Sequence, residues 1–171
     1  MNTDTNSLNK NELKEILNKS WMTHDAKWFY HCLQEFGIEK TNKINKAAVR
    51  DMSAIEIKRI QKAIGAGQMD TFDEFKLFFD KVMEIVTGKF MKCKYSMPAH
   101  NLMHFEWESC FAHEGMKTLG VIDSYECGVI LRINTWLDTL GIKYEVEPKV
   151  TGCMMHTDGK CFRDYRFFFD K

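Results

Sequence analysis

Two short steps in the second half of the chain each place a thiol and an imidazole three residues apart: Cys110-Phe-Ala-His113 and Cys153-Met-Met-His156. Cys127 lies between them and Cys161 follows them. Thiolate and imidazole are soft metal ligands, and they are also the parts of a thiol active site. Cys110, Cys127, Cys153 and Cys161 are therefore candidate metal ligands, with His156 and His113 as alternates. Four thiolates suit zinc or an iron–sulfur cluster, and a set with one imidazole still suits zinc or iron. A different chemistry makes Cys110 or Cys127 a nucleophile, with His113 or His24 moving the proton. The plain alternative is that Cys32, Cys93 and Cys127 are small core residues, as free cysteine often is.

A second unusual stretch is Trp21-Met-Thr-His24-Asp25-Ala-Lys-Trp28-Phe-Tyr-His31-Cys32. Steps of four and three put His24, Trp28 and His31 on one helix face. His24 reads either as a base or ligand beside a carboxylate, or as the border of a helix that packs two indoles. His104, Glu106 and Glu108 share a strand face that suits solvent. Arg163 and Arg166 fall on opposite faces of the last strand, where one could clamp a carboxylate.

The elements that must position these residues follow from periodicity. Asn9 to Glu12 signals a helix start, and apolar residues from Leu13 to Phe36 recur at steps of three and four until Gly37. A second helix is expected from about Thr41 to Ile64. Thr71-Phe-Asp-Glu74 is a capping-box pattern that opens a third, closed by Gly88. The period then changes. Met91 to Tyr95 and Phe105 to Trp107 alternate as two strands of a hairpin with a turn near Pro98 and Asn101. Asp123 and Glu126 resemble a second capping box, starting a helix that Gly141 ends. Ile142 to Val146 and Phe162 to Phe169 complete the strands. The fold class is α+β: amino-terminal helices, residues 1–88, packed with a carboxyl-terminal ββαββ antiparallel sheet unit, residues 89–171, as one domain.

Following chain direction, Cys110 ends the second strand, Cys127 lies in the first turn of the following helix, Cys153 follows the third strand and Cys161 starts the fourth. If the second and third strands run the same way, all four sulfurs share one sheet rim. A thiol in a first helical turn feels the positive end of the helix dipole, which lowers its pKa.

The chain has 171 residues, a formal net charge of zero and 44% hydrophobic residues. No basic field exists for a phosphate backbone, so nucleic acid is not an expected partner. No apolar run reaches membrane-span length and Met1–Asn6 is followed by no apolar signal region, so a cytoplasmic protein with reduced thiols is expected, ordered beyond Met1–Ser7.

Cys110, Gly120, Cys127 and Gly159-Lys-Cys161-Phe162-Arg163 are together similar to the L-2-amino-thiazoline-4-carboxylate hydrolase-like family. The chain also looks like a cysteine-rich bacterial and archaeal relative of it, through Trp21, His24-Asp25, Trp28, Tyr125-Glu-Cys127-Gly128 and Gly152-Cys153-Met-Met-His156. The resemblance implies opening of a thiazoline ring at a C=N bond. Only Cys110, Cys127 and Cys161 carry over, and Cys153 with His156 is an addition.

Three functions are thus expected in order. The first is a cytosolic metal-binding protein, zinc or iron–sulfur, using the cysteine rim for small-molecule or redox chemistry. The second is a cysteine-dependent hydrolase of a small C–N substrate. The third is a non-enzymatic sensing or interaction module with Met116, Met154 and Met155 around a ligand pocket. A small-molecule substrate or ligand is expected as partner, and a homodimer is among the roles open to the helical half, beside lid and cover.

Overall fold

The computed structural model describes residues 8–169. Met1–Ser7, including the polar start of the chain, lies outside the described residues. Helix α1 spans Lys10–Ala63 and is interrupted at Gly37, whose φ of 71° and ψ of 173° fit glycine and break the helical path. The two expected helices are thus two arms of α1. Asn9 caps the first arm, accepting from the backbone of Asn11 and Glu12, while Glu12 accepts from the Asn9 backbone. Helix α2 (Phe72–Val86) starts at the capping box of Thr71 and Glu74.

Strands β1 (Lys92–Ala99) and β2 (Leu102–Ser109) form the hairpin, turning at Asn101 with φ of 61°. Helix α3 (Phe111–Thr118), a 3-10 turn at Ile122–Ser124, and helix α4 (Gly128–Leu140) follow. Gly141 ends α4 with φ of 72°. Strand β3 (Tyr144–Glu147), short helix α5 (Met154–Asp158) and strand β4 (Cys161–Phe167) complete the chain. The sheet order is β1-β2-β4-β3 with every neighbouring pair antiparallel. Strands β2 and β3, each antiparallel to β4, therefore point the same way. The fold is α+β.

The main core lies between α2 and the sheet. Phe75 is fully buried, with its ring 4.6 Å from that of Phe167 and 5.5 Å from Phe79. Burying one such ring contributes about 1.5–3 kcal/mol. Strand β4 turns Arg163, Tyr165 and Phe167 to the interior and Asp164 and Arg166 outward. The expected opposition of the two arginines is therefore the difference between a buried and an exposed one.

Two sequence expectations change. Helices α3 and α5 join the expected ββαββ order. Each is short and begins directly at a cysteine, without a polar cap to mark it. The capping box at Asp123 and Glu126 does not form: Asp123 instead receives His156 Nε2 at 2.7 Å, and Glu126 pairs with Lys46 of α1. Helix α4 consequently starts at Gly128, with Cys127 before its first turn.

Candidate functional site

Helices α3, α4 and α5 begin at one rim of the sheet, and the residue preceding each is a cysteine: Cys110, Cys127 and Cys153. Cys161, the first residue of β4, lies across from Trp107 of β2. The backbone N–H of Cys127 donates to Thr151 O at 3.0 Å, joining the loops before α4 and α5. Asn42 of α1 holds the same region, donating to Ser124 O and accepting from Glu126 N. All four cysteines line one cavity of about 10 Å³, together with His113 and the buried Arg163. Arg163 Nη1 donates to Phe162 O at 2.5 Å and sits 3.2 Å from Met154 Sδ.

This rim is apolar in its electrostatics. Burial pushes the Cys110 thiol up to about 12, reinforced by Cys127 and Cys161 and opposed by the backbone N–H groups of His113 and Ala112. Burial also raises Cys161 to about 11, with Cys127 adding to it and Arg163 opposing. Cys127 is raised as well, again by burial first, although the backbone N–H groups of Ile130 and Val129 favour its thiolate. The expected lowering by the helix start is present as a contribution and is outweighed by desolvation.

Two functional expectations are corrected here. Among the described residues, no group of three or more His, Cys, Asp or Glu is arranged to hold a metal ion. The expected metal-binding redox function is corrected on that ground: Cys110, Cys127, Cys153 and Cys161 meet at one cavity with His113, while His156 is engaged by Asp123, without an arranged donor set. The hydrolase reading meets a different obstacle: burial raises the Cys110 and Cys127 thiols, and a protonated thiol is a poor nucleophile. The histidines are engaged elsewhere: His113 Nδ1 lies 3.0 Å from Glu114, and His156 meets Asp123. On the first arm of α1, His24 Nε2 accepts from Trp28 Nε1 at 3.1 Å, and it lines neither cavity. Cys93 packs against the main core, and Cys32 also lies outside the rim.

A second, larger cavity of about 220 Å³ adjoins the thiol rim. It lies between the two arms of α1 on one side and α3, α4 and the β2 end of the sheet on the other. Trp107, Ala112, Tyr125 and Val129 belong to both cavities and form the partition. The wall is mostly hydrocarbon and aromatic, with Phe29, Met52, Met83, Phe105 and Met116 among its residues. Of the three methionines expected around a pocket, Met116 lines this one, and Met154 and Met155 line the thiol rim.

Polar groups in the larger wall are few and specific. Arg132 of α4 donates Nε and Nη2 to Glu56 of α1 at 2.9 and 2.5 Å. Its guanidinium lies 5.1 Å from the Trp21 ring and 5.0 Å from the Trp136 ring. Trp136 Nε1 also donates to Glu56, at 3.0 Å. Asp25 lines the cavity from the first arm of α1. Its carboxyl pKa is raised by burial, against the pull of His24 and Arg132. Trp107 Nε1 is buried with no hydrogen-bond partner. Arg132, Glu56 and Trp107 were not legible as site residues. Arg132 sits inside an apolar run, and Glu56 lies on a helix whose charges alternate.

Comparison with known proteins gives a family and a similar fold. A family model described as "Family of unknown function (DUF6125)" matches residues 6–130. No curated protein matches the chain. The crystal structure of trafficking protein particle complex subunit 3 from Naegleria fowleri, covalently bound to palmitic acid, is similar in fold, with a TM-score of 0.51 at 12% identity. The alignment covers 91% of this chain and 95% of that one. The hydrolase-like resemblance rests on the cysteine and glycine positions quoted above and on no further match.

Proposed function

The chain belongs to the DUF6125 family, and we propose from its own cavity that it is a non-enzymatic module that holds an apolar small molecule within a protein assembly. The observation that carries this reading is the 220 Å³ cavity with its hydrocarbon wall. An apolar cavity of roughly 150 Å³ already takes a benzene ring, so this one accepts a longer or larger hydrocarbon.

The Naegleria subunit carries palmitic acid covalently. Here no cysteine among the described residues lines the larger cavity, since Cys110, Cys127, Cys153 and Cys161 all line the smaller one, so the reading is of a hydrocarbon held without a covalent bond. The assembly role draws on the fold likeness and on the first arm of α1. Leu13, Leu17, Trp21 and Trp28 are exposed along it, a run of large apolar surface of the kind that marks interaction sites.

The test is a titration with N-phenyl-1-naphthylamine, a neutral apolar dye that fluoresces when removed from water. The dye should saturate at one equivalent and be displaced by decanol. Absence of saturable fluorescence from folded protein would overturn the reading.

A further inference from the structure

The cavity holds two charged residues in its wall among the described residues, Asp25 and Arg132. They are not equivalent. Arg132 is already neutralised by the two hydrogen bonds it donates to Glu56 and covered by Trp21 and Trp136. A ligand carboxylate would have to compete with Glu56 for it. Asp25 makes no hydrogen bond among the described residues. His24 and Arg132 pull on it electrostatically without bonding to it, and His24 Nε2 is engaged as acceptor from Trp28 Nε1. The charged group of the wall left without a hydrogen bond is therefore a carboxylate.

We infer that the cavity selects amphiphiles with a protonated amine head, received by Asp25, over those with a carboxylate head. This deepens the proposed function and rests on it. The hydrocarbon occupies the apolar wall between α1 and α4, and the ammonium lies at Asp25. The class of ligand is an alkyl or arylalkyl primary amine. A fatty acid of the same chain length meets repulsion at Asp25 and an occupied Arg132. Burial raises the Asp25 pKa in the empty protein, and an ammonium partner reverses that by favouring the ionised form.

The experiment displaces N-phenyl-1-naphthylamine with decylamine, decanol and decanoate, each below its aggregation concentration. Decylamine should bind at least about tenfold more tightly than decanoate, the scale of one attraction set against one repulsion at the same carboxylate. In Asp25→Asn the preference should fall to about threefold or less. Glu56→Gln, which frees Arg132, should move the preference toward decanoate and gives a second, independent arm. Decanoate binding as well as decylamine, or an unchanged preference in Asp25→Asn, overturns the head assignment while decanol binding leaves the cavity reading intact. Failure of the dye and all three chains to bind the wild-type protein overturns both.

Discussion

Arg132 and Glu56 close a two-point clamp across α4 and α1, with Nε to Oε2 at 2.9 Å and Nη2 to Oε1 at 2.5 Å. The clamp fixes the helix that forms one wall of the cavity against the helix that forms the other. Their side chains are 17% and 21% exposed, between a surface pair and a buried one. Exposed pairs contribute up to about 1 kcal/mol and breaking buried ones costs about 3–5 kcal/mol, so Glu56→Ala should cost about 2–3 kcal/mol. Urea unfolding of the two proteins measures it.

The core beneath the sheet makes a sharper contrast. Phe75 is fully buried, whereas Leu77 in the same helix is 70% exposed. Phe75→Ala should cost about 3–5 kcal/mol. Leu77→Ala should stay within about 0.5 kcal/mol of wild type. Equal effects in denaturant melts would contradict the assignment of the buried face of α2.

The thiol rim predicts a dependence on alkaline pH. Cys110 and Cys161 titrate near 12 and 11 when folded, above the ordinary thiol value of 9.0. Between those values the folded state retains protons that the unfolded state has lost. Stability is therefore full below pH 9.0 and falls as pH rises toward 11 and 12. The slope is about 1.4 kcal/mol per pH unit for each thiol that titrates in one state only. Melting curves of wild type and Cys110→Ala from about one pH unit below the ordinary value to about two above it should diverge less from neutral-pH behaviour in the variant. Alkylation of Cys110 by iodoacetamide in the folded protein should be slow at about pH 8, where an ordinary thiol is already partly ionised.

Chain length should report directly on the cavity wall. Each buried methylene contributes about 0.8 kcal/mol, so affinity of straight-chain alcohols should rise by roughly fourfold per carbon until the space is filled. A displacement series from hexanol upward reads this slope. A flat series would place the dye and the alcohols on the outer surface.

Much of this arrangement could be read from residue patterns. The Thr71–Glu74 capping box, the alternation of β2 and the glycine at 141 each announced their element. The meeting of Cys110, Cys127, Cys153 and Cys161 followed from strand direction, since β2 and β3 both run antiparallel to β4. Their chemistry did not follow. Whether a thiol at a helix start becomes thiolate depends on the water left around it, and Tyr125 and Trp107, with few polar contacts nearby, remove that water. Asp123 could not be read as a His156 partner, because the pair is 33 residues apart and joins a 3-10 turn to the short helix α5. The large cavity was illegible for a related reason. It is an interval between the arms of α1 and α4, and no residue pattern encodes a gap.

The most direct test of the account uses Gly115 of α3, which lines the cavity and where an added Cβ meets nothing within 4 Å. A phenylalanine at this position enters open space and replaces a poor helix former. Titrating N-phenyl-1-naphthylamine into wild type and Gly115→Phe should give saturable binding in the first and at least about tenfold weaker binding in the second, a loss of roughly 1.4 kcal/mol or more, with thermal stability preserved. Equal dye affinity in both proteins would contradict a ligand site between α1 and α4.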